Sequence, residues 1–118
     1  MTRERSAESG KSVAVVDVGS NTIKLLVAEL SSLGDLKVQH ERSDATRIES
    51  EHSTGGHILT GNGMNKGLKA IERLIQESLS YEPVCVRIVA TGLVRDSVNG
   101  KLFAERVREV TGYELDII

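Results

Sequence analysis

Residues 13–30, VAVVDVGSNTIKLLVAEL, decide how this chain is read. An apolar run ends at Asp17, a tight polar bend follows at Gly19-Ser20-Asn21, and a second run rich in aliphatic and β-branched residues leaves it. That is the pattern of strand, turn and strand. Such a hairpin holds a carboxylate at the end of one strand and offers backbone N–H groups and small hydroxyls from the bend. The combination suits a phosphate that carries a divalent cation. Residues 12–17, with their nearly continuous valines, are expected to be buried on both faces in the middle of a sheet.

Working outward, residues 22–30 form the second strand and Gly34-Asp35 makes a turn. Leu36, Val38 and His40 then alternate as a third strand at the sheet edge. Residues 41–57 become polar and end in Ser53-Thr54-Gly55-Gly56, the composition of an exposed loop. From Met64, apolar residues recur at Leu68, Ile71, Ile75 and Leu79, one face of a helix that Thr60 or Asn62 can cap. Gly61, Gly63 and Gly67 each weaken its first turns by up to about 1 kcal/mol relative to alanine. Pro83 ends the helix, and residues 84–90 make a strand closed by Thr91-Gly92. Asn99 can cap a second helix in which Phe103, Val107 and Val110 share a face and Gly112 gives the stop. Residues 114–118 start a further strand. Two strand-helix-strand crossovers place parallel strands beside the opening hairpin.

The 118 residues fit one domain of α/β class, with residues 1–11 as a flexible tail and residues 12–118 as a phosphate-binding lobe. The tail lacks the apolar segment of a secretion signal, and no stretch is long enough to span a bilayer. Hydrophobic residues at 39% and charged ones at 27% describe a globular chain, and 3% aromatics make its core aliphatic and argue against stacking on bases. A net charge of −2 provides no global field for DNA or an anionic membrane, so neither is an expected partner. The single Cys85, within an apolar run, reads as a small buried hydrophobe, and a reducing cytoplasm is the simplest compartment.

Asp17 is the candidate to hold a hydrated magnesium ion or to orient an attacking water; the plain alternative is an Asx turn. Gly19, Ser20, Asn21 and Thr22 can wrap a terminal phosphate, or serve as turn chemistry alone. Lys24 can reach the same anion, or be a solvated lysine. At residues 91–99, TGLVRDSVN, a strand hands over to a helical segment, so Thr91 and Gly92 can point N–H groups at an anion and Arg95 can add a bidentate guanidinium. An Arg95 paired with Asp96 is the competing account. Asp17 and Thr91 both emerge at carboxyl ends of parallel strands, where open α/β sheets collect ligands. His52, His57, Glu49 and Glu51 match no compact zinc spacing and read as a solvated loop. Arg47 lies in that loop and can close over an anion.

VVDVGSNTIKLLVAEL resembles the first phosphate-binding hairpin of the exopolyphosphatase/guanosine pentaphosphate phosphohydrolase family. ATGLVRDSVNGKLFAERVREVTGYELDII is similar to that family's A-T-x-x-x-R-x-A-x-N segment with its following helix and strand. The resemblance covers residues 12–118. It implies a ribonuclease-H-like lobe of the actin, sugar-kinase and chaperone-ATPase superfamily: a mixed sheet of about five strands, three antiparallel and then parallel ones, with two main helices. It also implies magnesium-assisted hydrolysis of the terminal phosphoanhydride of polyphosphate or of guanosine penta- or tetraphosphate. By that resemblance Asp17 would place metal or water, residues 19–22 would cradle phosphate, and Arg95 would neutralise it.

Ser97 stands where the pattern has alanine, and Asp96 where glutamate is common. The family's S-G-x-E-E-A segment, with its water-activating glutamate, would begin after Ile118, and its D-x-G-G-G-S loop beyond that. The expectation is therefore a first lobe that alone binds phosphate weakly and hydrolyses nothing measurable, because phosphoryl transfer needs groups from both sides of a cleft. Two other readings are an ATP-dependent sugar or acid kinase lobe and a non-catalytic phosphate or alarmone sensor. Strands left uncovered leave a homodimer open.

Overall fold

The opening hairpin forms as β1 (Lys11–Val18) and β2 (Ile23–Leu30), paired antiparallel from Val18↔Ile23 to Lys11↔Leu30. A computed structural model describes residues 10–118. After the hairpin come β3 (Leu36–Asp44), β4 (Ser50–Ser53), β5 (Gly56–Leu59), α1 (Gly61–Leu79), β6 (Cys85–Ala90), the one-turn α2 (Leu93–Asp96), α3 (Gly100–Thr111) and β7 (Leu115–Ile117). The main sheet has the order β3-β2-β1-β6-β7, with β6 parallel to β1 and β7 parallel to β6. Three antiparallel strands followed by parallel ones is the mixed sheet the sequence predicts. The β4 and β5 strands form a separate two-stranded sheet, tied to Ser97 by a single bridge from His57.

Alternation along β1 sorts the two faces. Ser12, Ala14, Val16 and Val18 point inward with Ile23, Leu25 and Val27 of β2 and Ile88 and Ala90 of β6, all buried. Against them α1 packs Ala70, Ile71, Leu74 and Ile75, and α3 packs Phe103 and Val107. The core is aliphatic around one phenylalanine, as the composition requires. The opposite face carries Val13, Val15 and Asp17, whose neighbours are Ala28, Leu26 and Lys24 on β2 and Cys85, Arg87 and Val89 on β6.

This overturns the expectation that β1 is buried on both faces. Both long helices lie on one side, which leaves Val13 and Val15 half-buried and Asp17 exposed. Cys85, expected to be buried, stands exposed on the open face beside Val13 for the same reason. At the start of the chain, Gly10 is buried and β1 begins at Lys11, so both belong to the lobe rather than to the stretch assigned to the tail. The rest of that stretch, residues 1–9, lies outside the described residues.

Residues 41–57 are not one loop. β3 runs on to Asp44, and β4 and β5 make a hairpin whose turn ends at Gly56, with φ 122°. β4 is polar throughout, and the two apolar residues of β5, Ile58 and Leu59, are adjacent rather than alternating, so hydrophobic periodicity does not announce the hairpin.

Two glycines of α1, Gly63 and Gly67, are there for close approach. Thr60 caps the helix by accepting the Gly63 N–H at 2.9 Å. A Cβ on Gly63 would stand 2.6 Å from the Glu49 carbonyl oxygen, and one on Gly67 would stand 3.1 Å from the Phe103 ring. Their absence lets α1 lie directly on the β3–β4 connection and on α3. Asn99 precedes α3 without capping it by its side chain. Instead its amide donates to the Leu59 carbonyl at 2.9 Å and accepts the Leu59 N–H at 2.8 Å, tying β5 to the start of α3. Gly112 closes α3 with φ 79°. Val110 falls off the buried stripe of α3 and is 48% exposed.

Candidate functional site

Because β1 and β6 run parallel and in register, Asp17 sits beside Val89 and Val18 beside Ala90. The bend after β1 and Thr91 after β6 therefore emerge at one end of the sheet. On the open face Asp17 lies opposite Lys24 of β2, and Lys24 opposite Ser43 of β3, so that Val89, Asp17, Lys24 and Ser43 make one transverse row. A hollow of about 630 Å³ covers this row and takes in Thr91 and Glu41. Opposite charges facing each other across a strand pair normally attract. Here the Asp17 carboxylate and Lys24 ammonium do not close on each other, and neither has another partner among the described residues. Both residues are exposed at the mouth of the hollow.

The bend itself is held by the Gly19 N–H donating to the Thr22 carbonyl at 3.0 Å. A Cβ on Gly19 would lie 2.9 Å from that same oxygen, which is why glycine stands there. Ser20 and Asn21 project exposed from the tip and line a second hollow of about 310 Å³, together with Arg47, Glu49 and Leu93. Arg47 reaches the bend because the adjacent Ile48 N–H donates to the Ser20 carbonyl at 3.1 Å while the Ile48 side chain is buried in the core.

Arg95 lines neither hollow. It sits on α2, just past Thr91 and Gly92 (φ 54°), with Nε donating to Asp96 Oδ1 at 3.1 Å and Nη1 donating to the Ile118 carbonyl at 3.4 Å. Hydrogen bonding to Asp96 raises the Arg95 pKa, and the guanidinium in turn holds the Asp96 carboxyl below its usual range. Both side chains are more than half exposed, so the pair is weak. The structure thus brings together Asp17, Lys24 and Thr91 in one place and Ser20, Asn21 and Arg47 in another. Arg95 it leaves at the same end of the sheet, engaged with Asp96.

Glu41 and Ser43 were hidden from sequence reasoning by the assignment of residues 41–57 to a loop. No hydrophobic signal marks them: residues 39–44 of β3 are all polar, and a register shift opposite Val27/Ala28 of β2 breaks the alternation begun at Leu36 and Val38. Arg42 also borders the first hollow, but Glu77 of α1 takes its guanidinium at 3.0 Å on the helix side. Hydrogen bonds from His40 and then Arg42 hold the Glu77 carboxyl below its usual range. His52 and His57 face each other across the β4–β5 hairpin with ring centroids 4.7 Å apart. Among the described residues no three His, Cys, Asp or Glu side chains group to hold a metal ion.

Comparison with known proteins gives this geometry a setting. The Ppx/GppA phosphatase family matches residues 26–118. Exopolyphosphatase 1 of Mycobacterium tuberculosis (strain ATCC 25618 / H37Rv) is 30% identical over 106 residues, which are 90% of this chain and 30% of that protein. The exopolyphosphatase 1 of Mycobacterium bovis is similar to the same extent. Among solved structures, the PPX-GPPA enzyme of Aquifex aeolicus shares 25% identity at a TM-score of 0.81, over 92% of this chain and 36% of that one. An exopolyphosphatase from Cytophaga hutchinsonii ATCC 33406, at 18% identity and TM-score 0.82 over 92% and 34% of the two chains, shows the shared fold. That fold is the ribonuclease-H-like lobe of the actin-like ATPases. The chain spans about a third of the length of these relatives. A match running from β2 through Ile118, on a sheet of the same build, shows that the chain belongs to the Ppx/GppA phosphatase family.

Proposed function

We propose that this chain is the phosphate-binding lobe of a phosphoanhydride hydrolase that removes the terminal phosphate of inorganic polyphosphate, with guanosine penta- or tetraphosphate as the alternative substrate. The observation that carries the reading is the hollow shared by Asp17, Lys24 and Thr91 at the carboxyl ends of β1 and β6. Family membership supports hydrolysis over the ATP-dependent kinase reading. Neither hollow at the bend is lined by an aromatic ring, which favours a linear polyphosphate over a ligand that needs its base stacked.

Phosphoryl transfer asks the protein for positioning and charge neutralisation more than for covalent chemistry. Lys24 supplies a point charge to the terminal phosphate. Thr22 supplies a hydroxyl and the bend supplies backbone N–H groups. Asp17, without a partner among the described residues, suits a magnesium ion, which takes one or two carboxylates beside phosphate oxygens and water. When bound there, magnesium would offset charge on those oxygens. Arg95 joins only by leaving Asp96. The first hollow is open on the side away from the sheet, so the base that activates water must come from across it. These residues alone therefore bind and do not turn over. Among the described residues no helix is long and apolar enough to cross a membrane, and a reducing cytoplasm suits the exposed, unpaired Cys85.

The test is calorimetry with pyrophosphate and polyphosphate in the presence of magnesium, beside a phosphate-release assay. Binding that weakens in Asp17→Ala, without release, is the expected result. Rapid release by the 118 residues above the Asp17→Ala background would overturn the binding-lobe reading, and failure to bind either ligand would overturn the phosphate reading altogether.

A further inference from the structure

The β3–β4 connection is pinned beside the bend from several directions. Asp44 bonds Thr46 and Arg73, the Ile48 N–H donates to Ser20, and the Glu49 carbonyl accepts the Thr60 N–H at 2.9 Å. The bare Gly63 and Gly67 of α1 close in on Glu49 and Ile48 from below. With Ile48 turned into the core, Arg47 stands exposed at the second hollow.

Its charge is also unspent. Among the described residues Arg42, Arg73, Arg87, Arg95 and Arg108 each face a carboxylate, whereas Arg47 and Arg106 face none. Of these two only Arg47 stands in a hollow with free polar side chains, the Ser20 hydroxyl and Asn21 amide. Glu49, the one acid lining that hollow, is offset by Lys66 at 3.4 Å. The two hollows flank the same bend: Asp17 and Lys24, the residues on either side of it, line the first, and Ser20 and Asn21 at its tip line the second. Thr91 lines the one and Leu93 the other, two residues apart.

We propose that Arg47, Ser20 and Asn21 form a second anion subsite, which takes phosphate groups of a linear chain beyond the one held at Asp17 and Lys24, and so makes affinity rise with chain length. This rests on the phosphate-binding reading of the first hollow. A single phosphate fills one flank only; a longer chain crosses the bend and gains a charge-assisted, bidentate contact from a planar guanidinium that lysine reproduces only in part.

The test is isothermal calorimetry of this chain with pyrophosphate and with a long-chain polyphosphate. The readout is the ratio of the two affinities per mole of bound chain. Arg47→Gln is expected to reduce that ratio about tenfold, the size of one charge-assisted contact. Arg47→Lys should keep part of the ratio, and Arg106→Gln, on α3, all of it. Far-ultraviolet circular dichroism confirms that each variant folds. A wild-type ratio of one, or a ratio that Arg47→Gln leaves intact, overturns the second subsite while the first hollow stands. Wild-type protein that binds neither ligand removes the first hollow's function and the subsite with it.

Discussion

Replacing Gly63 by alanine should destabilise the protein, although Gly63 lies in the first turn of a helix where alanine is intrinsically the better residue. The propensity gain is at most about 1 kcal/mol. Against it, the new Cβ would lie 2.6 Å from the Glu49 carbonyl oxygen, 2.7 Å from the Glu49 nitrogen and 3.0 Å from Thr60 Oγ1. Two of these three atoms are backbone and cannot swing away. Overpacking of that kind costs typically about 1–3 kcal/mol, and displacing the Thr60 cap adds about 1 kcal/mol. The net expectation is a loss of about 1–3 kcal/mol, or roughly 3–10 °C in Tm for a chain of this size. Gly61, two residues earlier, has nothing within 4 Å of where its Cβ would be, so Gly61→Ala should be neutral or stabilising by up to about 1 kcal/mol. Urea unfolding followed by circular dichroism measures both. A Gly63→Ala midpoint at or above wild type would refute the close approach of α1 to the β3–β4 connection.

Two further outcomes follow from the ion pairs. Asp96→Asn releases Arg95 from its exposed partner and should tighten pyrophosphate binding about two- to fivefold, the worth of such a pair; unchanged or weaker binding in calorimetry would count against Arg95 as a phosphate ligand. Glu77 has its folded pKa lowered by His40 and Arg42, so its stabilisation is full above the ordinary carboxylate range and is lost as pH falls through it towards the folded value. Glu77→Gln should therefore lower the urea midpoint at neutral pH and converge with wild type as pH falls below about 4, and a gap constant from pH 7 to 3 would contradict the pair.

The hairpin and α1 could be read from the chain because their signals are local: valine runs around a short polar bend, and a helical period from Met64. Which side of β1 is covered could not. Val13 to Val16 are apolar on both sides of the pleat, and only the placement of α1 and α3 together on one side decides that Val13 is half-buried and Cys85 exposed. The same limit hid the β4–β5 hairpin, whose strands carry no hydrophobic alternation. It also hid the purpose of the α1 glycines and the partner of Asn99, which is forty residues away at Leu59. At the site, the meeting of Asp17 with Thr91 follows from parallel order, which crossover rules supply. That Arg47 stands at Ser20 depends on one backbone hydrogen bond from Ile48, a tertiary event without a sequence mark. Asp96 beside Arg95 was visible as an adjacent pair, and that competing partnership is the one that forms.

The most direct measurement is amide chemical-shift mapping of this chain as pyrophosphate and magnesium are titrated in. Shifts should concentrate at residues 19–22 and at Thr91 and Gly92, and they should fade in Asp17→Ala. Saturating ligand that leaves those amides unmoved, or moves only amides of α1 and α3, would contradict a phosphate site at the first bend.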